Sequence, residues 1–289
     1  MKLLIAGADG QLGRSLQEVL RLKDFEVQPR TRQDLDITDL TAIKKAALES
    51  NPDVIINAAA YTNVEQAELE PKKAFLINEA GVRNLAIVAR ETGSKLIHFS
   101  TDYVFSGSGE RPWKIDDAVK PLSVYGKSKL AGEIAISEVL PENSLIIRTA
   151  WLYSPFGNNF YKTILKLALR NDDPINVVND QFGQPTNAED LSKLVISALD
   201  NKVPSGIHHG SNSGATTWHD FAVEIFKLAG AEASRVKAIS SKNYKTKASR
   251  PEYSVLDNSK WTEFGIKPLV FWQESVVRAF PAIYESLGQ

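Results

Sequence analysis

The stretch Met1-Lys2-Leu3-Leu4-Ile5-Ala6-Gly7-Ala8-Asp9-Gly10-Gln11-Leu12-Gly13 decides the fold. Leu3 to Ala6 is apolar at every position, the pattern of a strand covered on both faces. The run is too short for a signal peptide or a membrane span. Gly7, Gly10 and Gly13 follow at once, and Leu12, Leu16, Val19 and Leu20 then recur at helical spacing over 11–23. Glycines between a strand and a helix allow a tight turn. They also bring the backbone close to a pyrophosphate and let the helix pack on the strand. The helix start adds free N–H groups and the positive end of its dipole, which favour an anion. The spacing is G-x-x-G-x-x-G, not G-x-G-x-x-G, so the strand–loop–helix context carries the argument more than the triplet does.

Working outward, strands are expected at 25–28, 53–57, 95–99 and 144–148, with helices at 40–50, in two stretches over 64–92, and at 123–139. Strands alternating with helices predict an α/β fold, a Rossmann-type doubly wound parallel sheet. After Trp151 the pattern loosens. Helices are expected at 159–170, 188–199 and 273–285, short strands at 175–178, 206–209 and 236–239, and a polar, basic loop at 240–251. The expected organisation is an NAD(P)-binding domain over 1–150 and a smaller, mainly substrate-binding part over 151–289, with the chain free to cross back between them.

The 289 residues are 43% hydrophobic and 24% charged, as in an ordinary globular protein. Lys and Arg total 34 against 35 Asp and Glu, a net charge of −1 that gives no sign of a nucleic-acid or membrane-surface partner. The chain has no cysteine, which excludes disulfides, thiolate metal sites and a thiol nucleophile, and fits a reducing cytoplasm.

Two further clusters carry chemistry. At the end of the second strand, where an acid would hold the ribose hydroxyls of NAD, stand Arg30 and, close by, Arg32. Arginine suits a 2′-phosphate, so NADPH is favoured over NADH. The second cluster is Tyr125-Gly126-Lys127-Ser128-Lys129, at the start of a helix, which puts Tyr125 and Lys129 on one face. The fourth strand ends at Ser100-Thr101-Asp102, placing hydroxyls at the carboxyl edge of the sheet. A carbonyl that receives hydride needs a proton for its oxygen. A free tyrosine titrates near ~10, and a lysine cation beside it is expected to bring that down. Thr101 would share the developing charge.

With these residues in place, the chain resembles the dTDP-4-dehydrorhamnose reductase family, a branch of the extended short-chain dehydrogenases. The likeness runs over nearly the whole length. It is carried by the 7–13 loop, Asn57-Ala58-Ala59-Ala60-Tyr61-Thr62, Ser100-Thr101-Asp102-Tyr103-Val104-Phe105, 125–133, Arg148-Thr149-Ala150-Trp151, Gly157-Asn158-Asn159-Phe160, 180–186 and Arg250-Pro251. The resemblance implies reduction of C4 of dTDP-4-dehydro-L-rhamnose by NADPH, for bacterial surface polysaccharide. It matches Thr101, Tyr125 and Lys129 to the catalytic trio. It matches Gly10, Gln11, Leu12, Asp36, Ile37, Ala59, Ala60, Thr62, Tyr125 and Lys129 to cofactor contacts. Val64, Thr101, Asp102, Tyr103, Tyr125 and Trp151 match substrate-side positions, and Asn159 and Arg250 are expected to face the nucleotide. A nucleotide sugar is the expected partner, to a monomer or a homodimer.

One departure concerns a metal. Some relatives bind magnesium between subunits through acids that include one just after the glycine loop. Here that place reads Arg14-Ser15, with Glu189 and Asp190 further on, so no metal is expected. Rival functions share the fold. A dehydratase needs Asp-Glu after the threonine, where this chain has Asp102-Tyr103. An epimerase or another nucleotide-sugar ketoreductase needs only the same hydride machinery. A non-catalytic subunit, like the regulatory one of methionine adenosyltransferase, is disfavoured by the intact trio.

Overall fold

A strand that is apolar on both faces must be covered on both. In the computed structural model, which describes residues 1–170 and 172–288, Lys2–Ala6 (β1) lies inside a six-stranded sheet. It pairs with Glu26–Arg30 (β2) on one side and Val54–Asn57 (β3) on the other. Lys95–Thr101 (β4) and Ser144–Thr149 (β5) follow outward from β3, and Gly206–His209 closes that edge. All of these pairings are parallel. The order reverses between β1 and β3, and in such sheets the crevice beyond the carboxyl ends at that point holds the ligand.

Side chains alternate across the sheet. Leu3, Ile5, Ile56, Ile97 and Ile147 are buried under helices Gln11–Leu20 and Ala188–Asp200. Leu4, Ala6, Ile55, Leu96 and Ile146 are buried under Leu40–Ser50, Gly81–Thr92 and Val124–Val139. A separate core forms from the second half of the chain. There Tyr153, Tyr161, Ile164, Phe221, Phe226 and Val276 pack between helices Phe160–Arg170, Trp218–Leu228 and Trp272–Glu285. Beside it, Ile175–Val178 pairs in parallel with Val236–Ile239. No described helix is long and apolar enough to cross a membrane.

Three local differences from the sequence expectation matter. The first helix stops at Leu20, because the apolar stripe ends there and Leu22 projects into solvent. The 64–92 stretch is broken into Val64–Ala67, Pro71–Phe75, a π-helical turn Leu76–Ala80 and Gly81–Thr92. That turn carries Asn78, whose amide donates to the Tyr61 carbonyl and to Ser128 Oγ, both at 3.0 Å. Finally, β4 runs on to Thr101, because Ser100 and Thr101 stay in register with Arg148 and Thr149 of β5.

Helix Val124–Val139 is fixed to the sheet by charge as well as packing. The buried Glu133 accepts from Arg148 Nε at 2.9 Å and Nη2 at 2.7 Å, and also from the Ser100 hydroxyl. Removing one partner of a buried pair leaves the other charge stranded in a medium that solvates it poorly. Glu133→Ala is therefore expected to lower unfolding stability by about 3–5 kcal/mol, measured by urea denaturation. A loss below about 1 kcal/mol would mean the pair contributes no more than an exposed one.

Candidate active site

The phosphate loop is set by two close backbone approaches. Gly7 sits at φ +75°, and a Cβ there would lie 2.6 Å from the Ala59 backbone nitrogen. A Cβ on Gly13 would lie 2.2 Å from the Gly7 carbonyl oxygen. Helix Gln11–Leu20 opens at Gly10 with no side-chain cap. Its first N–H groups therefore remain open to an anion.

Two connected cavities extend from this loop. One of about 220 Å³ is walled by Gly7, Gly10, Arg32, Asp36, Ile37, Ala59 and Ala60. It shares Gly10, Ala58 and Ala60 with a second, of about 600 Å³. Gln11, Leu12, Thr62, Val64, Thr101, Asp102, Tyr103, Tyr125, Lys129, Trp151, Asn159 and Arg250 line that larger cavity. Two sequence candidates lie outside both walls. Gly13 is used in packing helix on loop. Arg30 ends β2, where its carbonyl accepts from Ala8 N at 3.0 Å, and Arg32 is the arginine that reaches the cavity wall. The Asp36 carboxyl accepts from the Thr38 amide and hydroxyl, which hold it below the usual carboxylate range.

Tyr125 and Lys129 stand one helical turn apart on Val124–Val139, whose start is capped by Ser123 Oγ accepting from Gly126 N at 3.1 Å. The expected lowering of Tyr125 by Lys129 is absent from this arrangement. Burial pushes the Tyr125 hydroxyl up to about 12, with Thr101 acting in the opposite direction. Lys129 Nζ is instead turned to β4, donating to the Phe99 carbonyl at 2.6 Å and lying 3.3 Å from His98 Nε2. Burial also brings Lys129 down to about 8, opposed by Glu133. Thr101 Oγ1 donates to Asp102 Oδ1 at 3.0 Å and accepts from Tyr103 N at 3.2 Å. Burial pushes Asp102 up to about 6. The Tyr103 ring meets Tyr125 edge-on at 5.6 Å.

The far wall is aromatic. Trp151 stacks on Trp218 with ring centroids 3.5 Å apart and planes within 8°. Trp151 holds φ +44°, a left-handed conformation that a bulky residue adopts only when its surroundings impose it. Gly183 makes room for the ring, since a Cβ there would lie 2.4 Å from it. Asn159 serves two ends at once: its Oδ1 caps Lys162 N at 3.0 Å, and its Nδ2 donates to Gln11 Oε1 at 2.8 Å. Arg250 Nη2 pairs with Glu65 at 3.0 Å, which also accepts from Lys247 N. The 240–251 loop is thus fastened to helix Val64–Ala67. Sequence reasoning missed Trp218, Phe160 and Thr149 as cavity residues. Thr149 Oγ1 and Arg250 Nε are buried with no hydrogen-bond partner among the described residues.

The residues considered for magnesium have other partners. Asp190 accepts from Asn212 at 2.9 Å, from Ser275 at 2.5 Å and from Arg278. Glu189 pairs with Lys193, and the Arg14 guanidinium lies 4.1 Å over the Phe156 ring. Asp190 is thus committed to contacts within the chain, and Glu189 to an exposed pair one turn along its own helix.

Comparison with known proteins identifies the family. The family described as RmlD substrate binding domain matches residues 1–284. A dTDP-4-dehydrorhamnose reductase of Streptomyces griseus is 43% identical over 99% of this chain and 95% of its own length. The crystal structure of a dTDP-4-dehydrorhamnose reductase from Clostridium acetobutylicum superposes with a TM-score of 0.93 at 40% identity, covering 98% of this chain and 100% of that one. Another from Bacillus anthracis, in complex with NADP, gives a TM-score of 0.93 at 36% identity over 97% of this chain and 98% of that one. With the family model matching residues 1–284 and these relatives similar over nearly its full length, the chain belongs to the dTDP-4-dehydrorhamnose reductase family.

Proposed function

We propose that this chain reduces the C4 keto group of dTDP-4-dehydro-L-rhamnose to give dTDP-L-rhamnose, with NADPH as reductant, in the supply of bacterial surface polysaccharide. The observation that carries the proposal is a single cavity. Its lining brings together Gly10 at an uncapped helix start, Thr101, Tyr125, Lys129 and Arg250. Family membership supports both the substrate class and the cofactor.

Bound NADPH supplies a hydride to the carbonyl carbon. The remaining work belongs to the chain. Tyr125, held at about 12 by burial, enters as the protonated phenol, which is the form a proton donor needs. Its proton goes to the carbonyl oxygen as the C–O bond becomes single. The Thr101 hydroxyl turns from Asp102 to stabilise the same oxygen. Lys129, as an ammonium, then neutralises the tyrosinate left behind. Residues 1–150 hold the dinucleotide in this scheme, and 151–289 supply most of the sugar-nucleotide side.

A neighbouring cavity of about 600 Å³ shares Phe160, Trp218 and Arg250 with the catalytic one. Its walls of Ile175, Val178 and Tyr244 suit a nucleotide base, and the Arg250 guanidinium suits the diphosphate. Every residue named comes from one chain, so a monomer or a homodimer serves equally. The cytoplasm, where NADPH and nucleotide sugars are available, is the proposed location.

Three outcomes test this proposal. Tyr125→Phe should lower kcat at least ~100-fold in an NADPH-oxidation assay with dTDP-4-dehydro-L-rhamnose, and change NADPH binding much less. Near-normal turnover would remove Tyr125 from the reaction. Arg32→Ala should reduce the preference for NADPH over NADH in kcat/KM by about tenfold or more, the worth of one charge-assisted contact. An equal loss with both cofactors would mean that Arg32 does not meet the 2′-phosphate. Activity should survive EDTA, and a loss that magnesium alone restores would point to ligands other than Glu189 and Asp190.

A further inference from the structure

Behind Lys129 runs a chain of hydrogen bonds that the reaction scheme leaves unused. The Ala59 N–H donates to Asn57 Oδ1 at 3.1 Å, which fixes the orientation of the amide. Asn57 Nδ2 therefore meets His98 Nδ1, at 3.0 Å. An amide nitrogen only donates, so Nδ1 accepts and carries no proton. His98 is fully buried, and burial above all holds its pKa well below the ordinary value. The ring is neutral, and its one proton sits on Nε2. Nε2 lies 3.3 Å from Lys129 Nζ. Against an ammonium this N–H would face another donor; against a free amine it finds a lone pair. The Phe99 carbonyl, at 2.6 Å, takes one amine hydrogen. The His98 Nε2–H finds an acceptor in this chain only when Lys129 is neutral.

We infer that His98, its tautomer set by Asn57, is a positioning residue that works against the ammonium form of Lys129, so that at alkaline pH NADPH binding is coupled to uptake of one proton at Nζ. The inference rests on the proposed placement of Lys129 at the cofactor. The balance is simple: the amine takes a proton from solvent and becomes the ammonium, with no other bond changed. An anionic dinucleotide favours the cationic form of its site, and the tyrosinate formed in turnover needs the same charge.

The other ionisable groups near Lys129 do not reverse this. Tyr125 and Glu133 lie on its own helix, Arg148 on β5, and Asp102 and Tyr103 on the turn after β4. Glu133 opposes burial, but its oxygens are already taken by Arg148 and Ser100. The free protein holds Lys129 at about 8, so the ammonium is present below that pH and lost above it. NADPH affinity is then full below about pH 8 and falls about tenfold per unit above it, until the raised midpoint of the bound form is passed. The 2′-phosphate of NADPH titrates near ~6, below this window.

The test measures NADPH affinity by fluorescence and proton uptake by calorimetry in buffers of different ionisation enthalpy, from about pH 7 to about pH 10. Wild type, His98→Gln and Asn57→Asp are compared after thermal unfolding shows each to be folded. In His98→Gln the new amide can turn its oxygen to the ammonium. In Asn57→Asp the new carboxylate would draw the proton to His98 Nδ1 and leave Nε2 as an acceptor. Either variant alone suffices if the other fails to fold. Wild type should take up about one proton per NADPH near about pH 9, with affinity falling through the window. Both variants should shift that fall upward by about one pH unit or more. A flat wild-type profile, or variants that follow the wild-type curve, overturns the inference. Lys129→Met separates a failure at the lysine from a failure at the histidine. If it binds NADPH like wild type at neutral pH and still turns over, the placement of Lys129 at the cofactor fails, and the inference with it. If it binds weakly while the wild-type profile is flat, only the role of His98 fails.

Discussion

The site depends on a buried ion pair. Glu133 and Arg148 are almost fully excluded from water, and their attraction tolerates little displacement. Because Arg148 belongs to β5 and Ser100, the third partner, to β4, the carboxylate ties the helix to both strands at their carboxyl ends. Lys129 sits one turn before Glu133 and Tyr125 two turns before it, so both side chains inherit their positions from that contact. The strand register does the same for Thr101, which stays paired opposite Thr149. Three residues from two elements meet because a charge that cannot be left alone fixes those elements together.

The same burial that holds the helix shapes the chemistry. Excluding water moves both groups toward their uncharged forms: Tyr125 is pushed up to about 12 and Lys129 down to about 8. The aromatic wall works differently. Trp151 is held in an unfavourable backbone conformation by Trp218 on one face and Gly183 on the other, which gives the cavity a rigid plane opposite the polar trio.

Much of this was legible in the chain because it depends on local spacing. The glycine loop, the strand before it, the one-turn interval between Tyr125 and Lys129, and the hydroxyl at the end of β4 all follow from residues close in sequence. What sequence could not supply came from contacts between distant segments. Trp218 stacks on Trp151, Glu65 fastens Arg250, and Asn57 meets His98 only through the pairing of β3 with β4. A histidine inside an otherwise apolar strand was a signal, but its partner was invisible without the register. The direction in which Tyr125 is shifted differs from the sequence expectation for a related reason: desolvation, a property of everything packed around the phenol, dominates over one neighbouring lysine. The π-helical turn at Leu76–Ala80 leaves no simple trace in periodicity, yet it carries Asn78 to Ser128.

The edge strand Gly206–His209 has a consequence for how the chain is made. It pairs with β5 across a long intervening segment, and helix Ala188–Asp200 arrives with it to cover Leu3, Ile5 and Ile147. Until that segment leaves the ribosome, β5 presents an unpaired row of backbone donors and acceptors, and the part of the sheet face that helix Gln11–Leu20 does not cover is open to water. An unpaired parallel edge is a template for the wrong partner, another nascent chain included. The parallel topology adds delay, since each pairing closes a long loop before it gains any contact. Synthesis therefore passes through an interval in which the phosphate loop and the trio are already translated while the sheet that aligns them is still unfinished.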